Sequence, residues 1–414
     1  MDNYILLSYC IFLLDLIKSF RGGYMRRLII GLTGAFGSGA TFVATEFLEK
    51  KGYKKHSLSD VLREENQKQS GNGSPSRKEL QEFGNKVRKD NPAYLAQMLD
   101  TEIMSKDVDS NFVIDSIRNP AEIKYFRDKY PEFILIGLFA DYEVRWERVK
   151  ASYNNSKDSF DADEQKDKGA LEPSYGQRIS DCFFESDLII INNDPIICNN
   201  DNSNYINMNQ KIDAYLKALQ DPTKSNPTLK ETLMAAAYTS GRRSKCYKRK
   251  VGAVIADKYD RIISSGFNGV PIGLEECKNK YGQCYRDIRR EAIGKQISGE
   301  LELDPGKVDD ARQAIKRNVK LLEQCRVLHG EESAILNLVG RGVDLTDSTM
   351  YVTTFPCNLC ANKIVQARIS KVVYFEPYPV VEAKEIFKDA RVETEPFEGV
   401  TFRAFFKFYQ YDET

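Results

Sequence analysis

Apolar positions along the chain fall into two successive blocks, each with its own rhythm. Residues 27–33 form a short apolar run rich in branched side chains, followed by glycines and then by helical spacing over 41–50. This order reads as strand, loop, helix. Further apolar runs at 112–114, 133–139 and 187–191, separated by helical stretches, predict a parallel sheet with helices packed on it. After 191 the pattern dissolves into Asn and Asp turn formers through 204. A helix is expected around 211–219, and 221–228 has the composition of a linker. The second block then predicts a helix over 229–240, strands over 251–256 and 262–266, and a charged helical insertion over 286–324. A helix after His329, a strand over 350–354, a helix from Cys357 and a strand over 372–375 complete it. The expected organisation is an α/β chain: a parallel-sheet domain over 25–220, a linker over 221–228 and an α/β/α domain over 229–414.

A chain of 414 residues exceeds what one core usually supports, which agrees with two domains. Apolar residues make up 42%, charged residues 29%, and the formal net charge is zero, so neither disorder nor a polybasic nucleic-acid binder is indicated. Cysteines number nine, an odd count without an export signal, which fits a reducing cytoplasm better than a disulfide framework. Residues 4–17 are apolar apart from Ser8 and Asp15. That stretch is short of the roughly 20 apolar residues that cross a bilayer, so no membrane association is expected. We read residues 1–24 as a leader upstream of a translation start at Met25.

Only two histidines exist, His56 and His329, so an imidazole metal ligand has almost no choice of position. His329-Gly330-Glu331 precedes Pro356-Cys357-Asn358-Leu359-Cys360, and His-x-Glu followed by Pro-Cys-x-x-Cys is the signature of zinc nucleobase deaminases. Cysteines three apart at a helix start project from one face, where exposed amides favour thiolates. Two thiolates and one imidazole leave a fourth zinc position open, whereas structural sites close all four. His329, Cys357 and Cys360 are the expected ligands and Glu331 the expected proton carrier. Glu332 is its rival, set aside by the motif spacing.

From 229 to 378 the chain resembles the deoxycytidylate deaminase family. The resemblance is carried by Ser244-Lys245-Cys246-Tyr247-Lys248-Arg249-Lys250-Val251-Gly252, Gly266-Phe267-Asn268-Gly269, the His329 box and Tyr351-Val352-Thr353-Thr354-Phe355-Pro356-Cys357. It implies that Asn268 and Gly269 contribute to a deoxynucleotide pocket, with Asn268 at the sugar and base. Arg242, Arg243, Lys248 and Arg249, in a basic run, suit a substrate phosphate tail. The family usually carries Ala where Gly330 stands and Asn where Ser333 stands. Some relatives hold a second zinc, for which Cys277, Cys284 and Cys325 are the candidates.

In the first block Gly34-Ala35-Phe36-Gly37-Ser38-Gly39-Ala40-Thr41 has the shape of a phosphate-binding loop with Ala40 in place of lysine. Its amides suit phosphates, Gly34, Gly37, Ser38, Gly39 and Thr41 being the candidates, while Thr41 and Asp115 suit magnesium. The missing lysine argues against phosphoryl transfer. The stretches 80–85 with Arg88, and 113–120, resemble nucleoside monophosphate and dephospho-coenzyme-A kinases. The whole chain resembles the bacterial antiphage deoxycytidine nucleotide deaminases. That implies conversion of dCTP and dCMP to dUTP and dUMP, zinc, a nucleoside triphosphate with Mg2+ at the loop, a homo-oligomer and, in some relatives, restraint by a small RNA. The alternatives are a nucleic-acid cytosine or adenosine deaminase, with Phe402, Phe405, Phe406, Phe408, Tyr409 and Tyr411 as a stacking platform, and a nucleotide sensor or kinase-like regulator.

Overall fold

The computed structural model describes residues 27–70, 77–167, 175–193, 203–300, 307–310, 321–322, 324–376 and 381–410. The expected leader and its Met25 start, most of the Asn-rich tract, much of the 286–324 insertion and Tyr411 lie outside them. Among the described residues no helix is long and apolar enough to cross a membrane. The chain divides into two compact units: Pro227–Phe402, and the segment up to Asn226 joined by the tail from Arg403.

In the first unit five strands, β1 (Ile29–Thr33), β2 (Lys54–Ser57), β3 (Phe112–Asp115), β4 (Phe133–Phe139) and β5 (Leu188–Ile191), run parallel in the order β5-β4-β1-β3-β2. The central strands are buried on both faces, with Ile30 in register with Val113 and Ile134. That double burial explains their unbroken apolar runs. β2, Lys54-Lys55-His56-Ser57, is polar because it lies beyond β3 at the sheet edge, and periodicity did not reveal it. Its His56 ring lies 5.6 Å from that of Phe112. The helix after the glycine loop begins at Ala40–Phe42 and widens to π geometry over Val43–Leu48.

The expected second domain reached residue 414, but the structure places Arg403–Gln410 in the first unit. Lys407 Nζ donates to the Pro131 carbonyl at 2.7 Å, Arg403 pairs with Glu185 at 2.7 Å, and Phe408 is fully buried. Of the aromatic residues considered for a stacking platform, Phe408 is buried while Phe406 is exposed. Phe402, in the second unit, is stacked on Tyr238 at 3.9 Å.

In the second unit β6 (Gly252–Ala256), β7 (Ile262–Phe267), β8 (Thr349–Val352), β9 (Lys371–Tyr374) and β10 (Glu393–Pro396) run in the order β10-β9-β8-β6-β7. β6 is antiparallel to β7 and β8, while β8, β9 and β10 are parallel. The helix Leu229–Arg242 opens on a capping box between Thr228 and Glu231 and packs on β6. Gly252 permits that packing: a side chain there would meet the Ala237 carbonyl at 1.9 Å. The insertion begins as the helix Tyr285–Glu300.

Candidate active site

Two helix starts build the centre. His329 is the N-cap of the helix Gly330–Leu336, and Cys357 the N-cap of the helix Asn358–Gln366, with Cys360 in its first turn. The first helix lies against β7 because Gly266 has no side chain; a Cβ there would meet the Ala334 nitrogen at 2.2 Å. Leu328 and Gly269 exchange backbone hydrogen bonds at 2.9 and 3.2 Å, which ties the residue before His329 to the turn after β7.

His329 Nδ1 lies 3.4 Å from Cys357 Sγ and 3.3 Å from Cys360 Sγ. All three ligand atoms lie within 4.8 Å of one another. Tetrahedral zinc with ordinary Zn–S and Zn–N bonds requires an N···S separation of roughly 3.5 Å, so this donor set fits the ion. A hydrogen bond from Cys360, helped by His329, pulls the Cys357 thiol well below its ordinary value, which favours the thiolate form that a metal needs. His329 is raised by its bond to Cys357, against burial.

Glu331 is 4% exposed, and burial raises its carboxyl to about 7. Such a group can both take and give a proton near neutral pH. Glu332 is spent on structure. It accepts from the His329 backbone nitrogen at 3.4 Å and pairs with Lys363 at 2.8 Å. Gly330 brings the Val251 carbonyl close, since a Cβ there would lie 2.9 Å from it.

The other expected residues divide. Asn268 is buried, and its amide is taken up by the chain: Oδ1 accepts from Val251 N at 2.7 Å and Nδ2 donates to the Arg249 carbonyl at 2.8 Å. It braces the 249–251 loop beside Gly269. Arg242 and Arg243 are exposed, the latter with its guanidinium 4.7 Å from the centre of the Phe267 ring. Lys248 pairs with Asp287 at 2.6 Å and Arg249 with Glu376 at 2.5 Å.

Glu376 was not singled out from the sequence, where it is one acidic residue after an apolar strand. In the structure its Oε2 is buried and has no hydrogen-bond partner among the described residues. Cys246 was also missed. It joins Cys277, Cys284 and Cys325 around one small cavity, beside Lys248 and Arg286. The candidates for a second zinc are thus gathered with a fourth sulfur, but among the described residues the tight ligand group is His329, Cys357 and Cys360. Burial pushes the Cys325 thiol up, which opposes metal binding.

In the first unit the glycine loop is formed without its lysine. Gly37 and Gly39 have φ of +84° and +95°, the left-handed region that favours glycine. The carbonyls of Phe36, Gly37 and Ser38 accept from Arg145 (3.3 Å), Arg148 (3.1 Å) and Asn192 (2.8 Å). A trans peptide points its N–H opposite its carbonyl, so the Gly37 and Gly39 amides face away from these donors. A Cβ on Gly34 would lie 2.4 Å from Ser38 Oγ. Thr41 Oγ1 donates to Asp115 Oδ2 at 2.6 Å, which brings the two magnesium candidates together.

Comparison with known proteins agrees with this geometry. Residues 227–376 match the family model described as the cytidine and deoxycytidylate deaminase zinc-binding region, and residues 33–166 match an AAA domain. The chain is 26% identical over 354 residues to the deoxycytidylate deaminase of Schizosaccharomyces pombe, covering 84% of this chain and 90% of that one. It is 36% identical over 155 residues to the deoxycytidylate deaminase of Enterobacteria phage T2, covering 36% of this chain and 79% of that one. Among solved structures, the dCMP deaminase of cyanophage S-TIM5 in complex with dCMP and dUMP is 23% identical. That match covers 42% of this chain and 100% of that one, with a TM-score of 0.29.

Proposed function

The chain belongs to the deoxycytidylate deaminase family, with an AAA-like domain fused to its zinc-binding deaminase domain, and on that premise we propose that it hydrolyses the amino group of free deoxycytidine nucleotides, both dCMP and dCTP, to the deoxyuridine nucleotides and ammonia. The observation that carries this reading is the convergence of His329, Cys357 and Cys360 within 4.8 Å beside the buried Glu331. His329, Cys357 and Cys360 hold zinc. Bound there, zinc supplies the Lewis acidity that makes water nucleophilic near neutral pH. Glu331 takes one proton of the attacking water and gives it to the ring nitrogen, then takes the other from the new hydroxyl on the ring carbon and gives it to the departing amine.

Around that centre Asn268 and Gly269 shape the sugar and base pocket, and Arg242, Arg243, Lys248 and Arg249 receive the phosphates. The basic run supports dCTP as a substrate beside dCMP. We place the reaction in antiphage defence, where it depletes dCTP in the cytoplasm of an infected cell. The support is the resemblance of the fused architecture to that group. On the same basis the enzyme works as a homo-oligomer restrained by a small RNA. The glycine loop of the 25–220 domain holds a nucleoside triphosphate with Mg2+ through its amides, Thr41 and Asp115, as a sensor.

The test is product analysis after incubation of the full chain with dCMP, dCTP and a single-stranded oligonucleotide. Formation of dUMP and dUTP supports the reading. Uracil formed only in the oligonucleotide contradicts it and favours a nucleic-acid deaminase.

A further inference from the structure

Glu376 stands where the sheet delivers chain to the metal centre. β9 runs parallel to β8 in the register Val352–Tyr374, and Phe375 N donates to the Val352 carbonyl at 3.0 Å. Glu376 follows directly, level with the β8 exit that leads through Pro356 to Cys357. Its Oε1 accepts from Arg249 at 2.5 Å. The Arg249 carbonyl is in turn bound by Asn268, whose neighbour Gly269 is bridged to Leu328, next to His329. Glu376, Arg249, Asn268 and His329 are therefore linked in one chain of contacts at one end of the sheet.

Glu376 Oε2 is buried without a hydrogen-bond partner among the described residues. A buried carboxylate oxygen with no donor is unfavourable unless something else supplies one. Asn268 does not relieve it: its amide bonds the 249–251 backbone, and no hydrogen bond joins it to Glu376 Oε2. A deoxycytidine nucleotide brings two kinds of donor: the exocyclic amine and the sugar hydroxyl. Its phosphates at neutral pH chiefly accept. The amine must reach Glu331 and the metal ligands to react, which leaves the hydroxyl for a second carboxylate.

We infer that Glu376 is a substrate-binding residue: its Oε2 accepts a hydrogen bond from the 3′-hydroxyl of the bound deoxynucleotide while its Oε1 holds Arg249 in place for the phosphate. The inference rests on the nucleotide deaminase reading above. A site built to bond a hydroxyl discriminates strongly against the analogue without it, since the acceptor is left buried and unpaired.

The experiment compares kcat/KM for dCMP and for 2′,3′-dideoxycytidine monophosphate, in the wild type and in Glu376→Ala and Glu376→Gln. Zinc content and thermal melting of each protein establish that it is folded and loaded. A parallel measurement, the thermal shift produced by dUMP and by its 2′,3′-dideoxy analogue, reads the same contact without turnover. The wild type is expected to prefer dCMP at least ~10-fold, from loss of one charge-assisted hydrogen bond. In Glu376→Ala the dCMP rate falls and the preference collapses towards unity. An unchanged preference in a zinc-loaded Glu376→Ala overturns the inference while the deaminase reading stands. A zinc-loaded wild type that deaminates no free deoxycytidine nucleotide overturns both.

Discussion

Cys360 Sγ lies 3.3 Å from His329 Nδ1, although 31 positions separate them in the chain. His329 caps a helix packed on β7 and β6, and Cys360 lies in the first turn of the helix that follows β8, so fixing the sheet fixes the pair. The chemistry depends on that coupling between topology and ligand spacing. Replacing either cysteine with serine, or His329 with alanine, leaves too few soft donors to hold the ion. Elemental analysis is expected to find a single zinc per chain in the wild type and none in each variant. Retention of that zinc by any one of them would remove that residue from the site.

The packing of the helix Leu229–Arg242 on β6 tolerates no side chain at Gly252. An added Cβ would stand 1.9 Å from the Ala237 carbonyl and 2.5 Å from the Gly241 nitrogen, both rigid backbone. Gly252→Ala is expected to cost about 3 kcal/mol, the upper part of the usual overpacking range. Denaturant unfolding of the full chain measures it; a variant as stable as wild type would mean that the helix sits farther from the sheet.

A buried ion pair supports the glycine loop of the first unit. Arg145 bonds Glu164 with both guanidinium nitrogens at 2.8 and 2.7 Å, and the two side chains are 5% and 7% exposed. Removing one partner strands the other charge. Glu164→Ala is therefore expected to destabilise the first unit by about 3 kcal/mol, while zinc content stays at the wild-type level. Calorimetry with metal analysis reads both. Loss of zinc would reveal a dependence of the second unit on the first.

Alkaline stability carries a further signature. Tyr53 is buried, and burial raises its phenol to about 12, against about 10 when unfolded. Above pH 10 the unfolded chain releases a proton that the folded chain retains. The sign follows: with fewer protons bound in the unfolded state, stability falls as pH rises from about 10 to about 12. Tyr53→Phe removes that loss and is expected to unfold at higher pH than wild type. A pH titration followed by circular dichroism checks it, and an unchanged midpoint would show that Tyr53 ionises freely.

What the sequence made legible follows burial. β1, β4 and β5 stand in the first sheet as unbroken apolar runs because both faces are covered, and their residues could be read without coordinates. β2 and β10, Lys-Lys-His-Ser and Glu-Thr-Glu-Pro, carry no such run. The metal triad was readable because ligand chemistry restricts residue type and spacing together. Glu376 and Cys246 were not. Each acquires its character from neighbours distant in sequence: Arg249 lies 127 positions from Glu376, and the cysteines beside Cys246 come from three other segments. Asn268 shows a complementary case: the family resemblance suggested a ligand contact, and the structure adds that its amide braces a backbone loop.

The most direct measurement is deamination of dCMP and dCTP, followed as ammonia release, by wild type and Glu331→Gln at equal zinc content. The substitution keeps the shape of a buried side chain and removes its capacity to carry a proton. Wild-type protein is expected to release ammonia with formation of the deoxyuridine nucleotide. The zinc-loaded variant is expected to be slower by a factor of at least ~100, the scale of a positioned acid-base group. Equal rates in the two proteins would contradict proton transfer by Glu331.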